Sequence, residues 1–190
     1  MIPQDYITAW NGVVPWASQR RVEQDLIIIS RAIVAIFSDP FLRDELRFRG
    51  GTALNKLHFP KPLRYSEDID LVRTTAGPIR PLLEHLQDVL DPWLVNPRFD
   101  QSPIAPKLKY AVEAEDKASP GPIKLKIEIN TREREAYDPP IEIPFRCRKS
   151  MVHRKGRNPD LLSGRNAGDQ AASLASTQQG PRSVRPRLRA

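Results

Sequence analysis

Residues 47–71 read RFRGGTALNKLHFPKPLRYSEDIDL. A Gly50-Gly51-Thr52 turn comes first, then Arg64, then Asp68 and Asp70 with one residue between them. On an extended strand the two aspartates share a face, about 6.6 Å apart along the chain. Ile69 and Leu71 take the opposite face and anchor the strand in a core. Carboxylates held side by side repel, which raises the pKa of one of them. A divalent cation relieves that repulsion. Mg²⁺ prefers hard oxygen ligands and commonly takes one or two carboxylates together with substrate phosphates. Taken alone, a D-x-D pair is more often a solvated acidic turn before a strand.

The glycines carry the second half of the argument. Two glycines after a strand let a ligand approach the backbone closely. The N-terminus of a following helix presents N–H groups suited to phosphate. Thr52 can cap that helix or donate its hydroxyl to a phosphate oxygen. The spacing is neither that of a P-loop nor that of a GxGxxG dinucleotide fingerprint. Joined to the aspartates, the turn gives a corner that holds phosphates beside a strand that holds metal, the layout of a phosphoryl or nucleotidyl transfer site.

Other residues are measured against that layout. Glu128 lies on the polar face of IKLKIEIN (Ile123 to Asn130), whose Ile123, Leu125, Ile127 and Ile129 form the apolar face. It is either a third carboxylate of the site or the ion-pair partner of Lys124, Lys126 or Arg132. Lys56 lies one helical turn beyond Thr52 and is a phosphate candidate. Arg64 can neutralise triphosphate charge, and Ser66 can cap the turn or bond a phosphate. His58, His85 and His153 follow no zinc spacing, and one cysteine, Cys147, makes a structural zinc site a poor fit. Trp10, Trp16 and Trp93 read as packing anchors.

Outward from the motif, Arg20 to Ser38 has apolar residues at helical spacing and ends at Asp39-Pro40. Leu46 to Arg49 and Ile69 to Arg73 are strand candidates, Thr52 to Phe59 a short helix and Ile79 to Leu90 a longer one. Residues 107–115 and 123–130 alternate as strands. This pattern predicts an α/β or α+β domain with a mixed sheet flanked by helices.

The chain of 190 residues carries a formal net charge of +7, but that charge is uneven. Residues 146–190 hold 11 Lys/Arg against 2 Asp/Glu, and residues 1–145 hold 19 against 21. Arg146 to Ala190 contains no Phe, Tyr or Trp, so residues 1–145 are expected to form the domain and 146–190 a basic, disordered tail. Such a tail attracts RNA or DNA phosphates. One cysteine allows no internal disulfide. With no signal-peptide pattern and no long apolar run, the chain is expected to be cytoplasmic and not membrane-bound.

FRGGTALNKLHF (Phe48 to Phe59) with RYSEDIDL (Arg64 to Leu71) resembles the signature of the AbiEii/AbiGii nucleotidyltransferase toxins. IKLKIEI (Ile123 to Ile129) is similar to a later core strand of that family, and Val22 to Pro40 to the helix before the signature. The resemblance spans roughly residues 20–145. It implies a nucleotidyltransferase fold of the DNA polymerase beta type and Mg²⁺-dependent transfer of NMP from an NTP to an acceptor hydroxyl, on tRNA or another RNA. By position Gly51 and Thr52 match the family's Gly-Ser/Thr element and Asp68 and Asp70 its metal-binding pair, with Glu128 a looser match by strand context. The expected site thus has two Mg²⁺ ions on Asp68 and Asp70, completed by Glu128, and Gly50, Gly51 and Thr52 on the β,γ-phosphates. A cognate antitoxin is the expected protein partner. Family members usually continue into a helical region with a catalytic lysine and a KGRD-like segment. HRKGRNPDLLSG (His153 to Gly164) only faintly resembles that segment, and Lys155 and Asp160 are poor replacements. The alternative expectation is therefore an impaired remnant that binds NTP, RNA or an antitoxin without turnover.

Overall fold

The apolar run at the start of the domain becomes one helical rod, α1, over residues 19–38. It is α-helical at Gln19–Arg21, winds through wider π turns at Val22–Ile29 and returns to α-helix at Ser30–Ser38. Ser18 caps it, its hydroxyl accepting from the Arg21 N–H at 3.4 Å. Asp39 breaks the rod in an extended conformation and caps α2 (Pro40–Glu45), accepting from the Leu42 N–H at 2.8 Å. Pro40 suits the first turn of α2, where its missing N–H leaves no intrahelical bond unmade.

This computed structural model describes residues 18–133 apart from 60, 62, 96, 101, 103–104 and 116–120. It also describes Thr8, Val14, Trp16 and the strands Ile141–Arg146 and Ala171–Ser176. After α2 come β1 (Leu46–Arg49) and α3 over residues 50–58, α-helical at Gly50–Ala53 and π-wound at Leu54–His58. Then follow β2 (Asp68–Arg73), α4 (Arg80–Leu90), β3 (Arg98–Asp100), β4 (Lys107–Val112), β5 (Ile123–Asn130), β6 (Ile141–Arg146) and β7 (Ala171–Ser176).

The strands form one mixed sheet in the order β3-β4-β5-β2-β1-β7-β6. β2 pairs antiparallel with β1 and parallel with β5, so the strand carrying the aspartates lies inside the sheet. Alternation sorts the two faces. Phe48, Ile69, Leu71, Leu125, Ile127 and Ile129 are buried to 2% exposure or less. They join Ile29, Ile33, Ile36 and Phe37 of α1, Leu42 of α2 and Leu82, Leu86 and Leu90 of α4 in one core. Helices thus cover the apolar face and leave the other to polar side chains. Phe37 and Phe48 meet across this seam, ring centroids 6.3 Å apart.

The mixed α/β architecture follows the expectation from the sequence. β3, β6 and β7 were not expected. β3 is three residues long and wholly exposed, so no apolar alternation marks it. β7 comes from the basic tail. Its AASLAS backbone pairs with both β1 and β6, although small residues carry little strand signal. Trp16 packs against Tyr65 with the rings tilted by 47°, and Trp93 lies under Arg31, as packing residues do. Trp10, Cys147, His153, Lys155 and Asp160 lie outside the described residues, as does the rest of the tail. Among the described residues no helix is long and apolar enough to cross a membrane.

Candidate active site

The polar face of the sheet carries a row of charge. In register across four strands stand Lys107, Glu128, Asp70 and Arg49. One step along, Lys109, Lys126 and Asp68 form a second row. The expected trio of Asp68, Asp70 and Glu128 is therefore together on one face, Asp70 directly beside Glu128 on parallel strands.

The electrostatics follow from this crowding. Partial burial raises the Asp70 carboxyl above the usual carboxylate range; the charges of Asp68 and Glu128 add to the rise, and Lys126 and Arg49 oppose it. Lys126 Nζ lies 2.9 Å from Asp68 Oδ2 and 3.7 Å from Glu128 Oε2. The hydrogen bond to Asp68 raises the Lys126 ammonium pKa, and the nearby carboxylate charges add to it. Lys107 Nζ meets Glu128 Oε2 at 3.3 Å. Arg49 Nη1 is 2.6 Å from Glu133 Oε2.

Gly50 and Gly51 stand over this row. Gly50 has φ +80, a left-handed conformation that glycine adopts without steric cost. A Cβ there would lie 2.6 Å from Asp70 Oδ2, and one on Gly51 would lie 2.8 Å from Arg64 Nη1. The absence of both side chains lets the carboxylate and the guanidinium approach the strand–helix corner. The turn is itself the start of α3, which begins at Gly50. Thr52 thus lies inside the helix, buried, and is not its cap.

Asn55, unremarked in the sequence, fixes Arg64. Its Nδ2 donates to the Arg64 carbonyl at 2.8 Å and its Oδ1 accepts from the Arg64 N–H at 3.4 Å.

The structure does not bring Lys56 to the carboxylates. Its ammonium is buried against Asp25, Nζ to Oδ1 at 2.6 Å, and donates to the Asp25 carbonyl at 2.9 Å and Ser30 Oγ at 3.1 Å. Ser66 is also buried, and its N–H donates to Asp25 Oδ2 at 3.3 Å. Lys56 and Ser66 therefore tie the loop to α1. Burial raises the Asp25 pKa despite the opposing Lys56 charge. Gln24 extends the tie: its Nε2 donates to the Lys124 carbonyl at 2.7 Å, and its Oε1 accepts from the Tyr65 hydroxyl. The sequence offered one signal for this frame: Asp25 stands directly before the apolar run Leu26 to Ile29.

Three carboxylates on adjoining strands supply the hard oxygen donors that Mg²⁺ prefers, so the residues present fit the ion. Among the described residues, however, no three His, Cys, Asp or Glu side chains converge as they stand on a common metal position.

The chain of known structure described as "MenT4, nucleotidyltransferase toxin Rv2826c from Mycobacterium tuberculosis H37Rv" superimposes with TM-score 0.56 at 14% identity, over 94% of this chain and 56% of that one. That likeness supports the fold. JHP933 from Helicobacter pylori aligns at 21% identity over 67% of this chain and 50% of its own, with TM-score 0.43. This chain thus spans about half the length of either. No curated protein sequence matches it. Residues 31–161 match the family described as "Nucleotidyl transferase AbiEii toxin, Type IV TA system", and the chain belongs to that family.

Proposed function

We propose that the protein transfers a nucleoside monophosphate from an NTP to an acceptor hydroxyl on tRNA. The observation that carries this reading is the register of Asp70 beside Glu128, with Asp68 one step along and Gly50 against Asp70. Asp68, Asp70 and Glu128 would hold Mg²⁺, with two ions as the expected complement. Bound there, the ions would supply Lewis-acid polarisation and neutralise phosphate charge.

The chain's own groups position the nucleotide. Gly50 and Gly51 would admit phosphate to the backbone, where the first N–H groups of α3 would donate to it. Thr52 adds a hydroxyl, and Arg64, whose backbone Asn55 holds, brings its guanidinium to meet triphosphate charge. Lys56 and Ser66 act one layer behind, through Asp25. The acceptor hydroxyl attacks the α-phosphorus and gives up its proton to solvent. Its oxygen–phosphorus bond forms as the bond from the α-phosphorus to the bridging oxygen breaks, and pyrophosphate leaves with that electron pair. Family membership supports a cognate antitoxin as partner.

The test is pyrophosphate release from each NTP with Mg²⁺ and bacterial tRNA. Release that needs tRNA supports the reading. Orthophosphate in place of pyrophosphate, or release indifferent to tRNA, contradicts it.

A further inference from the structure

The carboxylates of the site are engaged with lysine. Asp68 Oδ2 and Glu128 Oε2 both face the Lys126 ammonium, at 2.9 and 3.7 Å. Lys126 and Asp68 are register partners on parallel strands, so the contact is built into the sheet and does not depend on a mobile loop. The two side chains remain 38% and 34% exposed, so the ammonium can leave without unfolding anything. Mg²⁺ binds oxygens at about 2.0–2.1 Å in octahedral geometry. An ammonium in hydrogen-bond contact with the same carboxylate competes for its lone pairs and repels a second cation.

We propose that Lys126 is the resident counter-cation of the acidic group and that a divalent cation gains Asp68 only by displacing its ammonium. This rests on the metal-site reading above. Asp68 Oδ2 is aimed at Nζ, and Glu128 Oε2 stands at the edge of contact with it. Lys107 Nζ lies 3.3 Å from the same Glu128 Oε2, nearer than Lys126, and forms no ion pair with Asp68. Displacement therefore turns on Lys126.

Mn²⁺ alone serves as the probe, read by the electron paramagnetic resonance signal of the free ion, with no nucleotide present. The Lys126→Met variant is expected to bind Mn²⁺ roughly tenfold more tightly than the wild type, since one competing charge is gone. The Asp70→Asn chain is expected to bind weakly. Equal or weaker affinity in Lys126→Met overturns this inference and leaves the metal site standing. No Mn²⁺ binding in either wild type or Lys126→Met overturns both.

A second measurement needs no variant. In the wild-type chain, Mn²⁺ is expected to raise acetylation of Lys126 by an amine-reactive reagent severalfold, while the exposed Lys124 of the same strand is unchanged. Lys126 labelling that ignores bound Mn²⁺ overturns the displacement.

Discussion

Lys56 Nζ and Asp25 Oδ1 lie 2.6 Å apart with both side chains withdrawn from water, joining α3 to the long helix α1. An ion pair of this kind contributes little net stability over a well-packed apolar pair, because desolvation offsets the attraction. Its loss on one side only is costly. Lys56→Met leaves Asp25 buried without its cation and should lower unfolding free energy by about 3–5 kcal/mol. Urea denaturation measures it. The double variant Asp25→Leu with Lys56→Met should recover a large part of the loss; a double variant as weak as the single would show that the pair is not what Lys56 contributes.

The glycine corner predicts an asymmetry between neighbours. Gly50→Ala forces a Cβ into a left-handed conformation, at about 1–2 kcal/mol, and presses on Asp70 Oδ2. Gly51→Ala meets the far end of the Arg64 side chain, which can move aside. Thermal unfolding should rank Gly50→Ala clearly below Gly51→Ala, and NTP affinity should suffer in both. Equal melting temperatures would contradict the role given to Gly50.

Glu45 sets a pH dependence. Partial burial works against its carboxylate, but the Thr75 hydroxyl and the Arg73 guanidinium outweigh it and hold the pKa below the ordinary value. Arg73 Nε lies 3.0 Å from Glu45 Oε2. A depressed folded-state pKa contributes stability that is present above the unfolded pKa and is lost as pH falls through the folded one. Glu45→Gln should therefore cost about 2 kcal/mol near neutral pH. The difference from wild type should shrink as pH drops below the usual carboxylate range. A difference independent of pH would place the effect in packing instead of charge.

The sequence carried the placement of the candidate site further than that of its support. That Asp68, Asp70 and Glu128 lie on the polar face of their strands was legible because strand alternation fixes it. Register between strands is not written in any one strand, so the Lys107–Glu128–Asp70–Arg49 row emerges only once β1, β2, β4 and β5 are paired. Helical spacing placed Lys56 near Thr52, yet long-range burial turned it to Asp25, 31 residues away. Asn55 was missed because its work is with the Arg64 backbone, across a loop. β3 and β7 escaped because exposed or small residues leave no apolar period.

The row of Asp68, Asp70 and Glu128 as a nucleotidyl transfer site is tested most directly by where phosphorus goes. The chain is given Mg²⁺, total bacterial RNA and each NTP labelled in turn at the α- or the γ-phosphate. The account predicts α-label in RNA, no γ-label, and neither with Asp70→Asn. Label retained by Asp70→Asn, γ-label in RNA, or no label from a wild-type chain that binds NTP would contradict it.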